Sequence, residues 1–226
     1  LTVTDQFGSS TQTLANFITY NDTTSLITSS SNYQENFESF NFPPESWRTP
    51  ASSFSWEGVI VDTGSNCLPN KVTFVDHYNI SQRGDEAYLI SNKVKLGSGP
   101  NAINYLTYDY SYSGYSSAHS DGFRIDISND CGYSWDSIYG ASGANLATTS
   151  YQSSIWHPTC DSWKTDSINL TSLGYINDTI MIRFVAINDY GNQFYLDNVN
   201  IKGQNILYNN NNNTHENDLT LFPNPN

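Results

Sequence analysis

Apolar residues recur along this chain with a period of two, in short runs divided by Gly, Asn, Asp and Ser. The runs are Tyr88–Ile90, Tyr105–Tyr112, Phe123–Ser128, Ser167–Leu170, Ile180–Ile187 and Phe194–Ile201. Successive side chains of a strand point to opposite faces, so each run reads as a strand laid on a core. No stretch of a dozen residues carries a 3.6-residue period. Many short strands with turn signals between them predict an all-β sandwich or barrel.

Met181–Ile201 is the clearest part of the pattern. Ile180, Ile182 and Phe184 alternate with Met181, Arg183 and Val185. Asn188-Asp189-Tyr190-Gly191-Asn192 is a cluster of turn formers, and a second strand runs from Phe194 to Ile201. Two strands joined by a tight turn are expected. Asp197 lies inside the second apolar run, where an ionised carboxylate costs several kcal/mol unless it is paired. In Tyr105–Tyr112, Leu106, Tyr108, Tyr110 and Tyr112 share one face, which predicts a core face. Thr107, Asp109, Ser111 and Ser113 then form the wet face. Tyr115, Tyr133 and Trp156 fall in loop-like sequence and are the candidates for an exposed ligand-binding patch; Trp135 is expected to plug the core.

The pattern divides the chain. Residues 1–21 read as a β-hairpin, with Leu1 and Val3 before a Gly8-Ser9-Ser10 turn and alternation through Leu14, Asn16, Ile18 and Tyr20 after it. Residues 22–34 are Ser/Thr-rich and aperiodic, a linker. The main body is 35–204. Residues 205–217 hold five consecutive Asn, a polar spacer, and 218–226 (DLTLFPNPN) start another strand-like unit. The strand-like start at Leu1 and the break after Phe222-Pro223 read as a piece of a longer protein.

Composition narrows the class. The 22 acidic and 9 basic side chains give a formal charge of −13. Nucleic acid requires a basic footprint and is not an expected partner. No run is long enough to form a membrane-spanning segment. Sixteen Tyr and five Trp provide ample surface to bury in a core. The three cysteines, Cys67, Cys131 and Cys160, leave at least one thiol unpaired. Either one disulfide, with Cys131–Cys160 as the chosen pair, or three buried thiols fits this count.

Two resemblances rest on ordered motifs. The strand pair of residues 1–21 resembles the end of a polycystic-kidney-disease (PKD) type immunoglobulin-like domain. In the body, Phe37-Glu38, Phe42-Pro43-Pro44, Trp47 and Trp56 come first, then Ala87–Ser91, Leu106–Tyr110 and Asp121–Ile125. Ser128–Gly132 before Trp135, Trp163 before Ile168–Leu170, and Gly191-Asn192 with Leu196–Val199 follow. This succession resembles a cleaved-adhesin or choice-of-anchor J (MAM-like) jelly-roll domain. LTLFPNPN is similar to the opening of the C-terminal sorting domain of the type IX secretion system of Bacteroidetes. The resemblance implies an eight- or nine-stranded jelly-roll β-sandwich, a secreted or cell-surface location, and a binding or adhesive role toward an extracellular protein or glycan. It also implies upstream domains of the same polypeptide, a pappalysin-like metallopeptidase among them.

A jelly-roll brings its first and last strands together, so Glu38 and Asp197 are expected to approach. Similar jelly-rolls carry a structural Ca²⁺ near these strands, with Asp85, Asp62 and Asn36 as further oxygen donors here. The alternative pairs Glu38 with Arg183 or Arg124 and leaves Asp197 to cap a turn. Catalytic motifs are missing: there is no H-E-x-x-H and no G-x-S-x-G, and Ser116 and Ser117 beside His119 do not make a triad by adjacency. Three functions compete. The leading one is a non-catalytic binding module; the others are a carbohydrate-active jelly-roll enzyme, which needs two facing carboxylates, and a structural spacer.

Overall fold

The computed structural model describes residues 32–98 and 102–205, with the side chains of 204 and 205 excepted, and the backbone of three short strands before them. Those three are β1 (Thr2–Asp5), β2 (Gly8–Thr11) and β3 (Thr24–Leu26). The others are β4 (Tyr33–Glu35), β5 (Trp47–Arg48), β6 (Glu57–Val61), β7 (Asn70–Val75), β8 (Glu86–Ser91) and β9 (Lys93–Lys95), then β10 (Ala102–Tyr112), β11 (Gly122–Ser128), β12 (Asp136–Ser142), β13 (Lys164–Asn169), β14 (Thr179–Ile187) and β15 (Phe194–Asn205). Each of the six runs read from the sequence lies in a strand or overlaps one.

Two sheets face each other in a jelly-roll β-sandwich. The first has the order β13-β10-β15-β7-β6, with β4 continuing the lane of β7 along β15. The second has the order β12-β11-β14-β8-β5, with β9 continuing the lane of β8 and β3 lying parallel beside β9. The other pairs in these sheets are antiparallel.

Alternation builds the core. Ile180, Ile182 and Phe184 of β14 point inward, as do Leu106, Tyr108, Tyr110 and Tyr112 of β10 and Phe194, Leu196, Val199 and Ile201 of β15. At the centre Phe123 stacks on Phe194 at 4.6 Å and on Phe184 at 5.9 Å, so rings from the two sheets interleave. Offset stacks of this kind stabilise beyond their buried area.

Four expectations change. β14 and β15 do not pair: each belongs to a different sheet, and 188–193 turn the corner between them. Gly8-Ser9-Ser10 lies in strand β2, paired back to β1, rather than forming the turn. The stretch expected as a linker supplies β3 and most of β4, because backbone groups beside an open sheet edge gain ladder bonds whatever the side-chain pattern. Ser111 and Ser113 are buried, not wet, since residues 143–163 cross the outer face of the first sheet: Ser111 Oγ meets Ser162 Oγ at 2.9 Å, and Ser113 donates to the Ser150 carbonyl. The expected pieces 205–217 and 218–226 lie, from 206 on, outside the described residues, as do Leu14, Asn16, Ile18 and Tyr20.

Candidate functional site

The segment 143–163 is a strap. Trp156 and Tyr195 form a second apolar cluster with Val61 and Val72 under it. Trp163 Nε1 donates to the Thr63 carbonyl at 3.0 Å, and the Trp156 N–H donates to Asn192 Oδ1 at 2.9 Å. A disulfide joins Cys160 to Cys67, across 93 residues of sequence. The Cys131–Cys160 expectation is therefore wrong: Cys131 is a free, exposed thiol in the β11–β12 turn. The strap carries Cys160 across the first sheet to the β6–β7 loop, while Cys131 stays with the second. Trp156 is only 8% exposed, so it holds the strap down rather than facing a ligand. Trp135 is half-buried on the outer face of the second sheet, with the Arg183 guanidinium 4.4 Å from its ring centroid, and is not a core plug.

The seam of first and last strands exists as expected, because β4 pairs with β15 through Glu35 and Val199. Glu38 lies past the end of β4, exposed, after Phe37 takes a positive φ of 55°. Asp197 is 0% exposed on the outer face. Its Oδ2 accepts from Asn70 Nδ2 and its Oδ1 from the Asn198 N–H, both at 2.8 Å. Asp109 is its cross-strand partner, beside a register shift where Asn198 takes a φ of 48°. Burial pushes the Asp197 carboxyl up to about 7, and the negative charges of Asp109 and Glu38 push the same way.

The five expected calcium ligands do not converge. Asn36 Oδ1 accepts the Glu38 N–H, Asp62 is exposed at the end of β6, and Asp85 accepts from the Ser53 hydroxyl in the β7–β8 loop. Among the described residues no three His, Cys, Asp or Glu side chains gather as a metal cage. The residues present do not fit one closed coordination sphere. The arginine alternative also fails. Arg124 holds Glu86 at 2.8 Å and Asp126 at 2.9 Å, and Arg183 holds Asp126 at 2.6 Å, all on the outer face of the second sheet, because side chains of β8, β11 and β14 face one another there.

At one end of the sandwich three loops meet over a single buried carboxylate. Asp121 Oδ1 accepts the N–H groups of Asp189 and Gly191 at 2.7 and 3.0 Å; Oδ2 accepts the Asn192 N–H and the Tyr112 hydroxyl at 3.0 and 2.9 Å. Only glycine allows this approach at 191, where a Cβ would lie 1.9 Å from Asp121 Oδ2. Asn188 Nδ2 donates to the carbonyls of Ile80 and Gln82, tying in the β7–β8 loop. His77, fully buried, contacts Asn188 Oδ1 through Nδ1 at 3.2 Å; burial lowers its pKa and keeps it neutral at pH 7, against the pull of Asp121.

This hub holds a ring cluster at the surface. Tyr115 lies 6.0 Å from Tyr78, 5.2 Å from His119 and 6.4 Å from Tyr190, and His119 lies 5.7 Å from Tyr190. Tyr190 is exposed and the other three are half-buried. Of the three expected patch residues, only Tyr115 belongs here. Tyr133 is 94% exposed but sits after β11, at the opposite end of the sandwich. Sequence reasoning missed Tyr78, Tyr190 and His119, since their meeting depends on three loops far apart in the chain. The one available signal was the Asn188–Asn192 turn cluster. His119 Nδ1 lies 2.9 Å from Ser116 Oγ, a local contact that fixes the ring.

No protein-family model matches the chain, and no curated protein matches it. Among solved structures it is similar to the K1 cleaved adhesin domain of Lys-gingipain from Porphyromonas gingivalis W83, at 18% identity over 76% of this chain and 98% of that one, with a TM-score of 0.52. The K2 cleaved adhesin domain of Lys-gingipain aligns at 16% identity over 76% and 99%, with a TM-score of 0.51. A third, a carbohydrate-binding module in complex with β-1,4-galactotriose, aligns at 15% identity over 76% and 94%, with a TM-score of 0.46. For the two cleaved adhesin domains the likeness, at these identities, is one of fold.

Proposed function

We propose that the sandwich is a non-catalytic binding module of a larger secreted or cell-surface protein, which engages an extracellular protein or glycan through Tyr78, Tyr115, His119 and Tyr190. One observation carries this reading: four rings from three loops are clustered at the surface over a buried hydrogen-bond hub. Rings fixed before contact lose little conformational entropy on binding, which is why such positions carry much of an interface's energy. The fold shared with the two cleaved adhesin domains of Lys-gingipain supports the same class.

The glycosidase alternative asks for a raised-pKa carboxyl facing a second one, and Asp197 meets half of that. It is wholly buried and already accepts two hydrogen bonds, so it cannot touch a substrate. A link to an upstream metallopeptidase is part of the proposal, and the polypeptide upstream of Leu1 tests it by an H-E-x-x-H. The calcium expectation has no carboxylate cage behind it among the described residues, so the unfolding midpoint is expected to be the same with and without chelator; a midpoint that falls on chelation would reinstate it.

The main test is a binding screen of the whole chain against immobilised glycans and extracellular-matrix proteins. A Tyr115→Ser/Tyr190→Ser variant is expected to lose about tenfold or more in affinity with its unfolding midpoint nearly unchanged. Binding that survives both substitutions, or a screen with no binder, overturns the reading in favour of a spacer.

A further inference from the structure

The strap does not lie flat. Trp156 and Trp163 pin it on either side, and between them His157, Pro158 and Thr159 roof a cleft of about 480 Å³ over β6, β7 and β15. That volume falls within the range of small-molecule sites, about 300–1,000 Å³. On the sheet side lies the half-buried Phe74, backed by the buried Tyr195 ring at 5.8 Å with 21° between their planes. Polar groups surround them: Asp62, Thr63, His157 and Gln193. The Tyr195 hydroxyl lies 2.5 Å from Gln193 Oε1 and 2.9 Å from the Trp156 carbonyl, and these contacts hold the Gln193 amide in place at the cleft wall.

The lining selects a ligand class. Among the described residues no lysine or arginine borders the cleft, and Asp62 adds a negative charge, which disfavours phosphate, sulfate or carboxylate ligands. A carboxylate accepts hydrogen bonds from hydroxyl pairs, while an amide and an imidazole offer donors. An aromatic face beside them suits the C–H face of a sugar ring, which buries apolar area without losing its hydroxyl partners. Both walls are rigid: the floor is paired sheet, and the roof is held by the disulfide and by Trp163. Preorganisation of this kind lowers the cost of binding. A strap that served only to cover apolar surface would close here, as it does at Trp156.

We infer that this cleft is a second binding site, for a short neutral saccharide of about two rings. It is separate from the loop-end cluster and does not depend on it.

The test is an amide NMR titration of the whole chain with lactose, cellobiose and xylobiose, with glucuronic acid as an anionic control. At least one neutral disaccharide is expected to shift the signals of Thr63, His157 and Gln193, with a Kd on the order of 1 mM. Asp62→Asn and His157→Ala, both at exposed positions, are expected to weaken it about tenfold, and Tyr115→Ser/Tyr190→Ser to leave it unchanged. The site is overturned if none of the three sugars shifts these signals, if the shifts fall on residues 113–121 instead, if glucuronic acid binds equally well, or if binding survives both cleft substitutions.

Discussion

Asp197 shows how one side chain ties stability to pH. Its unfolded value is near 3.8 and its folded value about 7. Between these the folded state holds more protons than the unfolded one, so folding is favoured most below pH 4 and weakens as pH rises through 7. The full shift corresponds to about 4 kcal/mol, and relaxation around Asn70 reduces it. Asp197→Asn is expected to gain about 2 kcal/mol at pH 8 and nothing at pH 4, as read by urea unfolding in chelator. The variant keeps an acceptor for the Asn198 N–H, and the Asn70 amide can turn its oxygen to the new donor. Gly191→Ala acts in the opposite sense. Its Cβ meets Asp121 Oδ2, so the turn must leave a carboxylate that holds three backbone N–H groups. A loss of about 3 kcal/mol or more is expected in thermal unfolding, together with loss of binding at the ring cluster.

At the scale of elements the strap is the part most open to test. Cys67–Cys160 closes a loop of 93 residues, and in the chain-entropy account such a link contributes up to about 4.7 kcal/mol. Cys67→Ser/Cys160→Ser is expected to lose about 2–4 kcal/mol, with amide exchange rising first in 143–163. Cys131→Ser, at an exposed thiol, is expected to stay within about 0.5 kcal/mol of the parent. A strap whose exchange is unchanged after removal of the disulfide would show that Trp156 and Trp163 suffice to hold it. The element level is also where sequence and structure part company. Each alternating run became strand, because the alternation of apolar side chains records burial on one face. Which strands pair was not written there: β14 and β15 are consecutive and read as a hairpin, yet they lie in opposite sheets.

For the whole molecule, a charge of −13 is a standing repulsion. Raising ionic strength from about 0.01 M to about 0.1 M shortens the screening length from about 30 Å to about 10 Å, and the unfolding midpoint is expected to rise. A flat response would mean that local pairs, such as Arg124 with Glu86 and Asp126, dominate the electrostatics. The sequence by itself determined the all-β class and the inward face of β10, and its resemblance to a jelly-roll implied the seam of first and last strands. Those follow from side-chain periodicity and from the order of motifs, which are local or additive along the chain. The tertiary structure alone decided the Cys67–Cys160 pair, the covering of Ser111 and Ser113, the burial of Trp156, the scattering of the expected calcium ligands, and the ring cluster of Tyr78, Tyr115, His119 and Tyr190. Each of these depends on where a loop lands after the sheets have closed, and that is set by contacts between residues tens of positions apart.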